Sequence, residues 1–188
     1  MKGVWQALPA RDEDKNTLAV IEASALSRCK FKFEPDYGVF RLHNVLPTGT
    51  TFPYAFGFVP STLGEDGDPL DILVLTDEPP PVSTVIPCRL VAVLKAVQRE
   101  NGDTISNDRL LGVAASSERY ADCRARSDVD EKILQRISEF FEFYHGLQAK
   151  DFEALGWKGH NAAEKTLESG IRAFRKNGSP ASSHKAAK

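Results

Sequence analysis

The chain has 188 residues, 41% of them hydrophobic, and a formal net charge of −2, a size and composition that predict one globular domain with its own core. The near-neutral charge gives no general reason to expect nucleic-acid binding, and no apolar run approaches the ~20 residues of a membrane span. Its 3 cysteines form no Cys-x-x-Cys pair and its 4 histidines are scattered, which argues against zinc and predicts reduced thiols in a cytoplasmic protein. The polar start, residues 1–15, shows no secretory signal and predicts an irregular lead-in.

The first two thirds of the chain predict short strands joined by turns. Within residues Cys29–Glu34, Phe31 and Phe33 alternate with charged residues, as in a half-buried strand. The predicted strands in chain order are 17–22, Cys29–Glu34, Val39–Val45, Asp71–Leu75, 85–97 and 110–114, with a hairpin-like connection at 98–108. Many short strands separated by turn signals predict a barrel or a sandwich.

The last third predicts two helices. Ser127 and Asp130 form a Ser-x-x-Asp capping box, and apolar residues then recur at helical spacing to about residue 150. A second helix is predicted over 161–174, with Asn161 at its cap. Residues 176–188 are a Ser/Lys/Ala tail that predicts disorder, which leaves 1–175 as the single domain.

The most informative stretch is the acidic turn that precedes the strand Asp71–Leu75. Asp66, Asp68 and Asp71 fall within six residues, Gly67 allows a sharp turn, and Pro69 fixes its own φ. A strand that anchors one end of this turn would allow the carboxylates to converge. Carboxylate oxygens are the ligands that Mg²⁺ prefers.

Two other structures are considered for this stretch: a solvated turn and an EF-hand. An Asp/Gly/Pro cluster before a strand is often only a solvated turn, and the residues alone leave that alternative open. An EF-hand does not fit, because counting from Asp66 places Asp71 where Gly is needed and Asp77 where Glu is needed.

The same region resembles the signature of family I soluble inorganic pyrophosphatases. The similar segments are FPYAFGFVPSTL (52–63), DGDPLD (66–71), VIE (20–22), KFKF (30–33) and FFEFY (140–144), in family order over about residues 17–174. The resemblance implies a mainly β protein with α-helices, built as an OB-like five-stranded β-barrel with two packed α-helices. It also implies Mg²⁺-dependent hydrolysis of pyrophosphate to two phosphates, and a homohexamer.

The resemblance implies a role for each matching residue. Asp66 and Asp71 would bind activating metals, and Glu22 would hold, directly or through water, a metal that arrives with the substrate. Asp68 would accept the nucleophile's proton or orient the water. Lys30 and Tyr144 would bind phosphate oxygens. The implied cofactor is Mg²⁺, with Mn²⁺ as a possible substitute, and the implied partner is pyrophosphate or a related small diphosphate.

Several positions depart from the family pattern. Asn44 stands where the family has an Arg that binds phosphate. Phe56 replaces a Tyr, and Ala55 replaces the Asn before it. His145 replaces a Lys, so that a group facing phosphate would titrate near neutral pH.

The largest departure lies in residues 98–109, where the family has Asp, four residues, Asp, one residue and Lys, with both carboxylates binding metal. Anchored on the flanking strands, this chain offers Gln98, Asn107 and Arg109, with about four extra residues. A second register supplies Asp103 and Asp108 at the family's separation, followed directly by Arg109. Arg for Lys keeps the charge and adds a bidentate fork. Both registers remain open from the sequence.

These departures leave three functional hypotheses. The first is an inorganic pyrophosphatase whose activity or metal preference is altered by the substitutions. The second is a weak or inactive relative that uses the site to bind a metal or a phosphorylated ligand. The third is a hydrolase of an organic diphosphate, because Asn44 and Phe56 could open the pocket to an organic group.

Overall fold

The structure is a computed structural model that describes residues 8–100, 102–147 and 151–177. The strands within them are β1 (Thr17–Ala23), β2 (Cys29–Glu34), β3 (Val39–Val45), β4 (Ala55–Phe58), β5 (Asp71–Leu75), β6 (Val85–Glu100), β7 (Asp103–Ser106), β8 (Arg109–Ala114) and β9 (Asp151–Gly159). A 3₁₀ turn at Arg126–Asp128 precedes helix α1 (Glu131–Gly146), and helix α2 (His160–Asn177) follows β9. Across these residues, no helix has the length and apolarity to cross a membrane.

Five of the strands form a closed ring. β1 pairs antiparallel with β4, β4 with β5, β5 runs parallel to β8, and β8 pairs with β6, which returns to β1. The long β6 shifts register between Leu90 and Ala92 and between Lys95 and Ala96, so it bends enough to serve several neighbours. It pairs also with β7 and β9, while β2 and β3 form a separate hairpin. This confirms the predicted five-stranded barrel with two helices.

The core has two apolar clusters because successive strand residues point to opposite faces. On β5, Leu73 and Leu75 belong to the cluster that α1 covers, whereas Ile72 and Val74 belong to the cluster that α2 covers. Helix α1 contributes Leu134, Ile137, Phe140, Phe141 and Tyr144, and helix α2 contributes Ala163, Leu167 and Ile171. The two helices therefore pack against the barrel at two separate apolar clusters.

A glycine fixes the close approach of β1 and β4. A Cβ atom at Gly57 would lie 1.9 Å from the carbonyl oxygen of Val20. Because a side chain does not fit there, the Phe-Gly-Phe sequence allows β4 to pair with β1 and to bring Glu22 near the acidic turn.

The predicted strands are present with small changes of boundary, but three strands were not predicted. β7 lies within the predicted connection 98–108. The short β4 follows an aromatic- and Pro-rich stretch without clear alternation. β9 lies between the predicted helices. Its alternation is interrupted at Gly156, where φ is +105° and where β6 shifts register. This bulge hid the strand from pattern analysis.

The predicted helix starts also need correction. Ser127 lies in the 3₁₀ turn, and Asp130 is the residue that caps α1, because its side chain accepts a hydrogen bond from the Lys132 amide at 2.9 Å. Asn161 lies inside α2, not at its cap. Residues 178–188 of the predicted tail, and 148–150 at the predicted end of α1, lie outside the described residues. The single-domain boundary therefore stays a prediction.

Candidate active site

The acidic turn connects β4 to β5 and is anchored on both sides. Gly67 has a φ of +84°, a conformation that glycine adopts without strain. The Asp66 carboxylate accepts a hydrogen bond from the Asp68 amide at 3.1 Å, and the Glu65 carboxylate accepts one from the Ser106 amide of β7 at 2.8 Å. The turn is thus fixed against the β6–β7 hairpin.

Burial and the carboxylates of this turn raise the pKa of Asp66. Asp66 stays exposed as a residue, but partial burial of its carboxyl group raises its pKa, and the charges of Asp71 and Asp68 raise it further. The hydrogen bond from the Asp68 amide acts in the opposite direction. Asp66 and Asp71 also line a small pocket together with Asn107. This clustering of negative charge favours a bound cation.

The buried Glu22, near the end of β1, forms an ion pair with the half-buried Lys30 of β2. The Lys30 Nζ atom lies 3.7 Å from Glu22 Oε2. Burial raises the pKa of Glu22 to about 7; Asp71 and Asp68 also raise it, and Lys30 lowers it. Burial lowers the pKa of Lys30, but the charges of Glu22 and Asp71 outweigh it, so the net pKa is raised.

Lys30 contacts residues from three other elements. Its Nζ lies 4.8 Å from the centroid of the Phe56 ring on β4, a cation–π distance. Asn44 of β3 is its cross-strand partner. Tyr144 on α1 lies close enough to contribute to the raised pKa of Lys30. The structure therefore places Glu22, Lys30, Asn44 and Tyr144 near one another.

Sequence analysis did not single out Lys32. Its Nζ lies 3.3 Å from both carboxylate oxygens of Asp68, and both side chains are more than half exposed. Lys30 and Lys32 are two residues apart on β2 and so lie on one face. That alternation was the available signal.

Arg109, at the start of β8, is the second buried cation of the site. Its Nη1 donates to the main-chain carbonyls of Asn107 at 2.9 Å and Asp108 at 3.1 Å, and to the Asn107 side chain. The same atom lies 3.1 Å from Asp71 Oδ2. β5 and β8 run parallel with Asp71 opposite Arg109, so the sheet register sets this ion pair.

Aromatic rings surround the other side of Arg109. Its guanidinium carbon lies 5.2 Å from the Phe141 ring centroid and 5.6 Å from that of Phe152. Its Nη2 lies 3.3 Å from His145 Nε2, and because a guanidinium only donates, this nitrogen accepts. His145 is buried and stacked on Phe152 with centroids 4.4 Å apart, so it lies behind Arg109.

Gln98 and Asn107 face each other beside Arg109. The Asn107 Nδ2 donates to Gln98 Oε1 at 2.9 Å, and both side chains are buried. Two amides satisfy each other without charge. On the side of β6 and β8, the site therefore has a neutral amide pair.

The structure separates the two carboxylates of the alternative register. Asp103 is exposed on β7, opposite Glu100. The Asp108 carboxylate is paired with the Lys95 ammonium and accepts hydrogen bonds from the Ala96 amide at 3.2 Å and the Thr166 hydroxyl at 3.4 Å. Asp108 also borders the small pocket near Asp66, but its carboxylate is held by β6 and α2.

The residues on the turn side fit a divalent cation. Among the described residues, no three His, Cys, Asp or Glu side chains lie close enough together to hold a metal ion as they stand. Burial raises the pKa of Glu22 and of Asp66, and neighbouring carboxylates raise both further, so a bound cation would stabilise the ionised forms. Oxygen donors of this kind suit Mg²⁺. We therefore expect the carboxylates to move together when a cation binds.

A barrel with an acidic turn at its rim and buried cations facing that turn defines a class: proteins that bind a small, highly charged anion together with divalent metal. The comparisons identify the family within this class. The profile of the family described as inorganic pyrophosphatase matches residues 19–175. The chain belongs to the inorganic pyrophosphatase family.

Similar proteins agree over nearly the whole length. The inorganic pyrophosphatase of Thermus thermophilus is 34% identical over 174 residues, which cover 90% of this chain and 97% of the relative. That of a Nostoc species is 33% identical over 168 residues, 89% of this chain and 97% of the relative. The crystal structure of the Thermus thermophilus protein superimposes with a TM-score of 0.83 at 33% identity, covering 91% of this chain and 98% of that one. The resemblance and the fold that it implied are confirmed.

Proposed function

We propose that this chain hydrolyses inorganic pyrophosphate to two phosphates with the help of divalent cations. The observation that carries the proposal is the ion pair between the half-buried Lys30 and the buried Glu22 beside the acidic turn. Pyrophosphate carries several negative charges, and it needs both cationic side chains and metals to approach carboxylates. Family membership supports the same reaction.

The roles follow from position and charge. Asp66, Asp71 and Glu22 hold Mg²⁺, and Mn²⁺ can replace it. Bound divalent ions neutralise substrate charge and lower the pKa of water toward neutrality. Asp68, whose carboxylate is exposed beside Lys32, orients the attacking water or accepts its proton.

The substrate is held by residues on several elements. Lys30 and Tyr144 bind phosphate oxygens, and Asn44, opposite Lys30, adds a neutral donor. Arg109 supplies a further cation, with His145 behind it. The geometry supports the first register of residues 98–109, because Gln98 and Asn107 meet beside Arg109.

Asp103 and Asp108 become metal ligands only if the β6–β7 hairpin rearranges. For Asp108 this means releasing Lys95, Ala96 and Thr166. The second register therefore remains a proposal whose test is the Asp108→Asn variant described below.

The decisive experiment measures phosphate release from pyrophosphate, first with Mg²⁺ and then with Mn²⁺. Asp68→Asn is the control, because it keeps the size of the side chain and removes its charge. We expect release by the wild type and its loss in the control. No release from folded protein that still binds Mn²⁺ would contradict the proposal. A panel of organic diphosphates would then separate a binding protein from a hydrolase of another substrate.

We place the protein in the cytoplasm and propose a homohexamer. The three cysteines are free thiols, which suits a reducing compartment. Phe143 and Leu147 lie one helical turn apart around the end of α1, and both are about half exposed, as in a surface that another copy covers. Light scattering on the wild type and on Phe143→Glu tests the assembly, with the smaller particle expected for the variant.

A further inference from the structure

Arg109 is an unusual cation for a metal site, because it is built into the protein interior. Its side chain is 4% exposed, and charged side chains are rarely buried unless they are paired. The main chain of Asn107 and Asp108 holds the guanidinium from one side. Phe141 and Phe152 restrict it from the other. It therefore cannot swing into solvent as a surface arginine does.

The ion pair with Asp71 gives this cation a specific effect. Asp71 Oδ2 lies 3.1 Å from Arg109 Nη1, so a carboxylate of the acidic turn is already neutralised by a permanent charge. A divalent ion approaching Asp71 from the β8 side would meet the guanidinium, and like charges repel strongly in a buried site.

The two amide residues beside Arg109 add no charge that would offset this repulsion, and the Asp108 carboxylate at the same pocket is already paired with Lys95. Gln98 and Asn107 are both buried, and they use amide groups on each other. Amide oxygens can bind a cation, but the Asn107 side-chain oxygen already accepts from Arg109. This side of the site thus has one buried cation, two satisfied amides and one neutralised carboxylate.

We propose that Arg109 is a built-in cation that takes the position of a divalent ion between Asp71, Gln98 and Asn107. Divalent ions bind only on the side of Glu22 and Asp66, where Asp71 contributes the carboxylate oxygen that is not paired with Arg109. The inference rests on metal binding by the acidic turn, which is part of the proposed function. It concerns the arrangement of metals and not whether pyrophosphate is hydrolysed.

The test reads the metals directly by electron paramagnetic resonance. Metal-free, full-length protein is loaded with saturating Mn²⁺ without substrate. Two Mn²⁺ ions at the ~4 Å separation of two-metal sites would couple and change the spectrum. We expect the wild type to show only uncoupled Mn²⁺. A coupled pair in the wild type would overturn the inference, and this measurement requires no variant to fold.

A triple variant tests whether removing the cation restores a second metal position. Gln98→Asp, Asn107→Asp and Arg109→Met together remove the cation and add two carboxylates. We expect one more Mn²⁺ per chain and the appearance of coupling. The inference would be overturned if the triple variant has a wild-type circular dichroism spectrum but binds the same number of ions as the wild type.

The matched control is Arg99→Met, on the same strand (β6) as Gln98. Arg99 pairs with Asp151 and Glu153 of β9 and is 47% exposed. Its removal subtracts the same charge away from the site, and we expect the number and coupling of bound Mn²⁺ to stay as in the wild type. A wild type that binds no Mn²⁺ at all contradicts the metal-dependent function itself. A wild type with a coupled pair contradicts only the role of Arg109.

Discussion

The Lys30 ammonium lies 3.7 Å from the buried Glu22 carboxylate, and this ion pair joins the first two strands of the chain beside the acidic turn. Each partner changes the pKa of the other. A cation held in this way is ready to meet an anionic substrate without first losing water or side-chain freedom.

Replacing Lys30 by Met should lower turnover of pyrophosphate by about 10²-fold or more, the usual effect of removing a preorganised charged donor. The methionine keeps most of the length of the side chain and removes its charge and its cation–π contact with Phe56. Lys32→Met is the control: Lys32 is 51% exposed, and we expect a loss several times smaller. Steady-state phosphate release measures both, and equal losses would show that position does not matter.

Asp108→Asn should leave turnover within a few-fold of the wild type and lower the melting temperature. The reason is that the Asp108 carboxylate holds Lys95, the Ala96 amide and Thr166, and losing a charged hydrogen-bond acceptor costs about 1–3 kcal/mol. If Asp103 and Asp108 instead complete the metal site, turnover is abolished. Asp103→Asn is the companion variant, for which no change in melting is expected.

Asn44→Arg should raise kcat/KM for pyrophosphate by about tenfold, because a guanidinium next to Lys30 adds charged, bidentate hydrogen bonds to phosphate. Asn44 is the cross-strand neighbour of Lys30 and is half-buried. Asn44→Gln lengthens the side chain without charge and should change little. An increase in both variants would point to size and not to charge.

The three thiols should react with Ellman's reagent in two classes. Cys29 is half-buried and should react fast. Burial raises the pKa of Cys88 to about 12 and also raises that of Cys123, so both should stay protonated and react only as the protein unfolds. Cys29→Ser should remove the fast phase, and a second fast thiol would disagree with the burial of the other two.

The same shift predicts alkaline instability. The pKa of Cys88 is raised in the folded protein from an ordinary value of 9.0 to about 12, so the unfolded chain ionises first. Its contribution to stability is complete below pH 9 and is lost as the pH rises toward 12. Chemical denaturation at several pH values measures the free energy of unfolding. We expect this free energy to fall less toward pH 12 in Cys88→Ala than in the wild type.

Local patterns carried much of the fold and part of the site. The Asp66–Asp71 turn is a continuous stretch, and the alternation in β2 and the helical spacing in α1 depend on residues close in sequence. Such features were therefore predictable. The capping of α1 by Asp130 in place of Ser127 shows the limit, because several polar residues near a helix start can serve as cap.

The strand register decided what local patterns left open. β9 forms because it pairs with β6, and the bulge at Gly156 interrupts the alternation that would predict a strand. The choice between the two registers of residues 98–109 depends on how long the β6–β7 hairpin is, and pairing of Gln98 with Ile105 sets that length.

The sequence by itself determined most strands, both helices and the residues that carry charge, because these follow from short-range periodicity and composition. Its periodicity left a barrel or a sandwich open, and the resemblance to a family implied the barrel. Only the tertiary structure decided that Arg109 neutralises Asp71, that Lys32 pairs with Asp68, and that Asp108 turns toward Lys95. These pairs join residues far apart along the chain. Their contacts depend on the register and closure of the barrel, which no local pattern encodes.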